Sequence, residues 1–479
     1  MNPRGWLSLF SAQFVFTLVA LVALNQSVIR GHGWYTRTAA LEAALALVAA
    51  LVACLCCSDA RPIPDLAPET GSGPSSGARR SFSLIPMGAA ALFLSGKAFL
   101  LTWHIDDAPP IGLMILRLSA GVGFVLIFLF AVFDFIRPGR LATGFRVRLF
   151  LLFAAGALLR VTAVMIWPEP SIDVYVWLRE APRVLLAGQN PYVPENMSQG
   201  ALPVYPPLPI VMAAPFTAVG MDVRYANVVC DLLAAWLLYG MARRPGRPLL
   251  GALIAGTYLN LPAVPFMLKN AWFEPMLAAL LAGGIVLADR GNRLGNLLLG
   301  LGLTSKQFGL PLLFPLWQAF RGRRKFLLAG VGLAIALVII PFFLWSPANF
   351  LNAVLYLHLA IAPDLESLTL RSAAHHLFGV AIPGWLAGGL TFLLIGCVAW
   401  RTPVKVGGAG LWMGTTLLIF CLLFVKGYFN YFYLCSYLFM LGLTAITPEG
   451  SPTAFREPIP SAEKNESTSN VGCNHRLHL

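Results

Sequence analysis

Blocks of apolar residues alternate with short polar segments along most of the chain. Each block has roughly the length needed to cross a bilayer as an α-helix. The blocks are continuous and lack the two-residue alternation of membrane β-strands. The pattern therefore predicts an all-α polytopic membrane protein with about 12–14 transmembrane helices. The apolar blocks cover residues 6–29, 38–57, 82–103, 111–135, 147–167, 205–220, 224–241, 248–267, 271–288, 294–318, 326–345, 383–400, 408–425 and 430–446.

The composition agrees with this class and decides how the charge is interpreted. Of the 479 residues, 58% are hydrophobic and 11% are charged, whereas soluble domains carry about 25% charged residues. The formal net charge is +13. Lys and Arg are concentrated in the short segments between apolar blocks, which is typical of cytoplasmic loops. The positive charge therefore indicates membrane topology, and we expect a lipid bilayer but no nucleic acid as a partner.

The polar segments divide the chain into three predicted parts. Residues 1–140 form an N-terminal four-helix membrane extension, whose loop 58–81 is rich in Pro, Gly and Ser and is expected to be flexible. Residues 141–446 form a second membrane module with a first outer loop at 168–204. Residues 447–479 are polar and are expected to be a disordered cytoplasmic tail.

The basic loops predict an orientation. If the N-terminus is cytoplasmic, five crossings bring the chain to the outer face at Trp167 and place Asp173 outside the cytoplasm. The region between Tyr205 and Arg321 then needs an odd number of crossings. A short, Pro-rich segment 205–220 that does not span would satisfy this, together with a break in 294–318. Gly and Pro residues surround Lys306 there, and such breaks occur at membrane depth only where they line protein or a water-filled cavity.

The first outer loop begins with the sequence "SIDVYVWLREAP", which we expect to form a short interfacial helix. Asp173 has two compatible interpretations, a helix N-cap and a functional carboxylate. Tyr175 and Arg179 would share a helix face with Arg183, although Pro182 is expected to end the helix before Arg183.

Charged residues within apolar blocks are functional candidates, because they are costly to bury in a membrane. Lys306 lies deepest in its block. Glu42, Lys97 and Arg117 are expected to pair with charges on neighbouring helices. For Lys269, Glu274, Arg371 and Lys426, at block ends, snorkelling to the interface is an alternative. A carboxylate near several cations suits a reaction whose leaving group is a phosphate, since the base accepts a proton and the cations stabilise the departing charge.

Several motifs in order resemble the GT-C glycosyltransferases, and among them the group containing the GPI mannosyltransferases and their bacterial relatives. The similar stretches are "SIDVYVWLREAPRVLLAGQNPY", "VYPPLPIVMAAPF", "YANVVCDLLAAWLL", "LNLPAVPFMLKNAWFEPML", "GLGLTSKQFGLPLLFPL" and "FVKGYFNYFYL". They span residues 147–446, while the first 135 or so residues have no recognised counterpart.

The resemblance implies an enzyme that transfers a hexose, mannose in that group, from a polyprenyl-phosphate donor to an extracytoplasmic glycan or glycolipid acceptor. It implies an inverting displacement, with Asp173 as general base and Lys306, Lys269 and Lys426 as ligands of the donor phosphate. The implied localisation is the cell (inner) membrane, with the active site on the extracytoplasmic face. The residues expected to form the sugar and acceptor pocket are Tyr175, Trp177, Arg179, Tyr192, Tyr205, Glu274, Arg371, His375, Asn430 and Tyr431.

The chain also departs from the family pattern. Ser171 stands where the first acid of a D-x-D motif would be, so we expect a single carboxylate, no required cofactor and no essential metal. Lys269-Asn270 replaces an Arg-Gly pair, and Thr304 replaces a His. A multi-pass transporter or a lipid or glycolipid flippase is the alternative function. It would be expected to show inverted-repeat symmetry, which the sequence does not display.

Overall fold

The structure is a computed structural model that describes residues 12–31, 35–56, 84–105, 108–136, 144–197, 203–243, 248–357, 364–403, 406–424 and 427–445. The predicted flexible loop 58–81, the tail 447–479 and Lys426 lie outside these residues. Within them the chain is helical and contains no β-strand. The predicted all-α membrane class is therefore confirmed.

Five long helices come first in the described part of the chain. They are α1 (Ala12–Gly31), α2 (Arg37–Cys56), α3 (Leu84–Leu101), α4 (Pro110–Ile136) and α5 (Phe145–Ile166). The outer-loop helix α6 (Asp173–Leu186) follows, and then the short helix α7 (Leu208–Ala218).

The remaining helices form the second module. They are α8 (Arg224–Ala242), α9 (Pro248–Leu259), α10 (Val264–Lys269), α11 (Glu274–Asp289), α12 (Arg293–Thr304), α13 (Gly309–Ala319), α14 (Arg324–Trp345), α15 (Pro347–Leu351), α16 (Leu370–Phe378), α17 (Gly384–Trp400), α18 (Ala409–Leu423) and α19 (Phe429–Ala445). Eight helices of the described chain are long and apolar enough to span a membrane. Helix α7, with 11 residues, is shorter than a span, as its Pro-rich sequence predicts.

Two helix breaks lie in the second module. Helix α12 ends at Thr304 and α13 begins at Gly309, so the predicted break around Lys306 is confirmed. A side chain at position 309 would clash with the Leu303 carbonyl, which explains the glycine. The other break separates α10 from α11, where Ala271 adopts a left-handed φ of 54°. At each break the first amide groups of the following helix lack carbonyl partners within that helix.

Helix α6 differs from the sequence prediction at Pro182. The helix continues through Pro182 to Leu186 instead of ending before Arg183. Val174, Trp177, Leu178 and Ala181 are buried along one side of the helix. Burial of this apolar side offsets the missing N–H and the steric conflict that proline introduces.

Helices of the N-terminal part pack directly on the C-terminal helices. Asn25 of α1 donates from Nδ2 to Ser436 Oγ of α19 at 3.0 Å. Between α1 and α2, the Tyr35 amide donates to the Glu366 carbonyl at 2.7 Å. The Tyr35 ring stacks on His376, with 4.6 Å between ring centroids. The first helices therefore contact the segment 364–378, which is predicted to be an outer loop.

A buried ionic cluster joins four helices of the second module. Arg160 of α5 forms an ion pair with Asp231 of α8, and both side chains are almost completely inaccessible. Tyr258 of α9 also donates to Asp231, as does Tyr433 of α19 at 2.7 Å. This cluster is a structural anchor, because its carboxylate is already held by three donors.

Candidate active site

Lys306 lies in the break between α12 and α13, inside a cage of aromatic rings. Its Nζ is 4.7 Å from the centroid of Tyr205, 4.6 Å from Phe273, 5.2 Å from Phe308 and 4.9 Å from Tyr431. Each ring presents its negative face to the ammonium group. Only 3% of Lys306 is accessible, so the cage closes around the cation.

Glu274 provides the counter-charge inside this cage. Its Oε1 forms an ion pair with Lys306 and accepts a hydrogen bond from Asn430 Nδ2 at 2.7 Å. Glu274 begins α11 and Asn430 lies in the first turn of α19. The partial positive charge of these helix N-termini favours the carboxylate. Within the described chain, Glu274 Oε2 and Asn430 Oδ1 are buried and accept no hydrogen bond, which leaves acceptor groups beside the cation.

Asp173 is the first helical residue of α6 and is exposed. Its Oδ1 accepts a hydrogen bond from the Val174 amide at 2.7 Å, and Ile172 occupies the N-cap position. The predicted N-cap role is thus met only in part. One carboxylate oxygen of Asp173 binds the amide of the next residue, and the other oxygen takes no part in that hydrogen bond. Trp177 follows one turn later, is buried, and packs on the rings of Tyr205 and Phe273.

The negative charge of Asp173 raises the pKa of one cage tyrosine, Tyr205, and of Tyr428 beside the cage. Burial raises the pKa of the Tyr205 phenol, and the negative charges of Glu274 and Asp173 raise that pKa further. Burial also raises the pKa of Tyr428, where a hydrogen bond to Asp364 adds to the effect and the charge of Asp173 contributes as well. Asp173 therefore lies on the same side of the molecule as the cage, within electrostatic range of two of its aromatic neighbours.

The segment Asn190-Pro191-Tyr192 holds the backbone of Tyr205, one of the cage residues. Tyr192 is fully buried and donates from its hydroxyl to the Tyr205 carbonyl at 2.6 Å. Asn190 Oδ1 accepts from the Tyr192 amide at 2.9 Å, which closes a tight turn. Gln307 Nε2, next to the caged lysine, donates to Val204 O at 2.9 Å. Tyr192 thus positions Tyr205 through its hydroxyl, and its place in the sugar pocket stays a prediction.

Asp364 and Tyr428 form another polar pair beside the cage. The Tyr428 hydroxyl donates to Asp364 Oδ2, and its ring stacks on Tyr431 with 6.5 Å between centroids. Sequence reasoning missed this pair, as it missed Phe273 and Phe308. The two phenylalanines are adjacent or nearly adjacent to Glu274 and Lys306, but apolar residues in an apolar block give no distinguishing signal.

Lys269 lies apart from the aromatic cage and lines an open cavity of about 630 Å³. The same cavity is also lined by Trp167, Pro168, Glu169 and Ser171. The Lys269 ammonium lies 4.8 Å from the Trp167 ring centroid. Because Ser171 is two residues before Asp173, this cavity opens beside the start of α6.

Four predicted pocket residues do not join the cage. Tyr175 and Arg179 line a separate depression of about 220 Å³, where Tyr175 donates to Pro168 O and Arg179 is 3.7 Å from Glu169. Arg371 donates to the Ile382 carbonyl at 2.9 Å, which commits that donor to its own loop. His375 is exposed and packs against the His376 ring.

Comparison with known proteins yields one family. The family model of Glycosyltransferase family 87 matches residues 204–425. This range includes Tyr205, Lys269, Glu274 and Lys306 and begins after Asp173. No curated protein and no solved structure matched the chain.

Proposed function

With its place in a glycosyltransferase family of the GT-C type as the premise, we propose that this chain transfers a hexose from a polyprenyl-phosphate donor to an extracytoplasmic glycan or glycolipid. Mannose is the sugar suggested by the sequence resemblance. The observation that carries the proposal is the position of Asp173. Its carboxylate is exposed and lies within electrostatic range of Tyr205 and Tyr428. The Lys269 cavity, which Ser171 lines, opens next to it.

In the proposed reaction Asp173 is the general base. It accepts the proton of an acceptor hydroxyl while that oxygen attacks the anomeric carbon of the sugar. The bond between the anomeric carbon and the phosphate oxygen breaks, and polyprenyl phosphate leaves with the electron pair. A single displacement of this kind inverts the anomeric configuration. An exposed carboxylate at a helix start is accessible to an acceptor without rearrangement of the fold.

The phosphate is assigned to Lys269 in preference to Lys306. Lys306 is enclosed by rings and paired with Glu274, so a phosphate would have to displace both. Lys269 is half-buried and lines a cavity that opens beside Asp173. An ammonium group there can stabilise the charge that develops on the leaving phosphate. The prediction that Lys306 contacts the phosphate directly is therefore replaced by a structural role in holding α11, α13 and α19 together.

The bilayer supplies the route for the donor. Large apolar side chains remain exposed on the outer surfaces of the long helices, including Phe150, Met165 and Leu158 on α5. Such surfaces are accommodated by lipid and are consistent with a substrate that carries a polyprenyl chain. Helix α5 ends at Ile166, which borders the Lys269 cavity. A donor in the bilayer could thus present its phosphate next to Lys269.

The proposal is tested by replacing the base and a neighbouring acid in parallel. Asp173→Asn should lower the rate of sugar transfer by about 100-fold or more, since a positioned base contributes a factor of that size. Glu195→Gln removes an exposed carboxylate from the same outer loop, outside the lining of the Lys269 cavity, and should retain most of the activity. Thermal unfolding of both variants checks that folding is intact. Full activity of Asp173→Asn would exclude Asp173 as the base.

A further inference from the structure

The N-terminal helices carry a cation whose counter-charge is absent from the described chain. Arg117 lies on α4 and was expected to pair with an acid on a neighbouring helix. Glu42 meets that expectation, with 2.8 Å to Arg30. Arg117 instead donates from Nε to the Thr102 carbonyl at 3.3 Å and stacks over the Trp103 ring at 4.5 Å. No carboxylate of the described residues forms an ion pair with it.

Arg117 borders an apolar cavity of about 580 Å³ between α3 and α4. The cavity extends along α4 from Met114 to Leu126, which is about 18 Å of helix, and Arg117 lies towards the Met114 end. Several of its side chains are also exposed on the outer surface of the molecule, so the cavity opens sideways. Its apolar lining includes Phe99, Trp103, Met114, Leu118, Val122 and Val125.

The depth of Arg117 brings its guanidinium close to the headgroup region. Helix α4 has 27 residues and is about 40 Å long, whereas the hydrocarbon core is about 30 Å thick. Arg117 is seven residues from Pro110, or about 10 Å along the helix. If α4 is centred in the bilayer, the Arg117 backbone lies about 5 Å inside the hydrocarbon, and a long side chain can reach the phosphate level. Trp103, which is 55% exposed, suits the same interfacial level.

We propose that this cavity binds an anionic glycerophospholipid of the leaflet that contains the outer end of α4. The Arg117 guanidinium would hold the headgroup phosphate, and one acyl chain would lie along Leu118, Val122 and Val125. A guanidinium can bind phosphate through two parallel hydrogen bonds. A cation at membrane depth is costly, and a lipid phosphate would lower that cost for Arg117, with which no described carboxylate forms an ion pair.

The geometry favours a bilayer phospholipid over the sugar donor. Gly112 packs against Ile166, on the side of α4 that faces the Lys269 cavity. Arg117 is five residues further along, which places it about 140° around the helix. A lipid at Arg117 therefore faces away from the proposed catalytic site. The proposal does not depend on the proposed function.

Native mass spectrometry of the purified protein in detergent tests this site. Phosphatidylglycerol is titrated against wild type, Arg117→Gln, Arg117→Lys and Lys97→Gln. We expect the dissociation constant of the tightest phosphatidylglycerol site to rise about tenfold or more in Arg117→Gln. A change of this size corresponds to the loss of a hydrogen bond to a charged group. Arg117→Lys should retain part of the affinity. Lys97 does not border the cavity and acts electrostatically on Glu42, so Lys97→Gln should leave binding unchanged.

A second titration with lipids of different headgroups separates the possible occupants. Diacylglycerol, which lacks phosphate, should bind equally weakly to wild type and Arg117→Gln. If phosphatidylglycerol binds equally well to wild type and Arg117→Gln, the site is refuted. Polyprenyl phosphate and unlabelled phosphatidylglycerol are then compared as competitors of bound phosphatidylglycerol. If polyprenyl phosphate displaces it at the lower concentration, and does so in wild type but not in Arg117→Gln, the occupant is the donor lipid and the proposal is wrong.

Discussion

At the scale of single residues, the side chains proposed to contact the substrate differ from those that hold the site in place. Asp173 is exposed and Lys269 is half-buried at the wall of a cavity, whereas Lys306, Glu274 and Tyr192 are buried. The accessible groups can act on a substrate directly. The buried groups fix the positions of Tyr205 and Phe273, against which Trp177 of the Asp173 helix packs.

Lys269 is predicted to act on the donor. Lys269→Gln should raise the KM for the lipid-linked sugar about tenfold or more, because a charge-assisted contact to phosphate is lost. Lys269→Arg should restore much of the affinity. Lys325→Gln removes an exposed lysine from the first turn of α14, which does not line the Lys269 cavity, and serves as the control. Steady-state kinetics at varied donor concentration measure the effect, and an unchanged KM in Lys269→Gln would contradict the assignment.

Tyr428 is predicted to remain protonated in the working pH range. Burial, the hydrogen bond to Asp364 and nearby negative charge all raise its pKa, so the neutral phenol persists to higher pH than in an ordinary tyrosine. The pH profiles of kcat/KM for wild type and Tyr428→Phe should therefore run parallel from pH 7 to about 9. An alkaline decline of the wild type in this range that is absent from Tyr428→Phe would show that Tyr428 titrates there.

The sequence identified the charged members of the site but not how they pair. Lys306 and Glu274 were recognisable because charges are rare in apolar blocks. Their pairing across 32 positions depends on two helix breaks meeting in space, which a linear pattern does not encode. Tyr175 and Trp177 are only two residues apart, but they face opposite regions because of helical geometry.

At the scale of helices, the buried pair Lys306–Glu274 joins the two breaks of the second module. Lys306→Met leaves Glu274 as an unpaired buried charge and should lower the free energy of unfolding by about 3–5 kcal/mol. The double replacement Lys306→Met with Glu274→Gln should recover part of that loss. Thermal unfolding in detergent measures both.

A more exposed ion pair provides the comparison for this experiment. Arg30 and Glu42 join α1 and α2 with side chains that are 53% and 23% exposed, and Arg30→Gln should cost at most about 1 kcal/mol. If Lys306→Met is no more destabilising than Arg30→Gln, Lys306 does not hold α11, α13 and α19 together as proposed.

Helix existence was predictable, and helix interruption was predictable only where glycine and proline marked it. Gly300, Gly302, Gly309 and Pro311 indicated the break at Lys306. The break before Glu274 has a left-handed alanine at its centre, and alanine gives no such signal. At Pro182 the sequence predicted a helix end that the structure does not have. Burial of one side of α6 outweighs the tendency of proline to end a helix.

At the scale of the whole molecule, the N-terminal helices are an integral part of the packing. Asn25 of α1 donates to Ser436 of α19, and Tyr35 contacts Glu366 and His376, in the segment that follows Asp364. These contacts link residues 1–140, for which sequence gave no role, to a loop beside the candidate site.

The orientation of the chain is tested by cysteine labelling. In a background without native cysteines, Ser171→Cys and Gly322→Cys place exposed thiols in segments predicted to face opposite sides. An impermeant maleimide should label Ser171→Cys in intact cells and Gly322→Cys only after permeabilisation. The reverse pattern would place Asp173 in the cytoplasm.

The central claim concerns the donor, and one measurement tests it most directly. The purified protein in lipid vesicles is given an acceptor extract and radiolabelled hexose, either as the polyprenyl phosphate or as the nucleotide sugar. We expect transfer from the polyprenyl-phosphate hexose, about 100-fold or more slower in Asp173→Asn, and no transfer from the nucleotide sugar. Transfer from the nucleotide sugar alone would refute a polyprenyl-phosphate donor, and equal transfer by wild type and Asp173→Asn would refute Asp173 as the base.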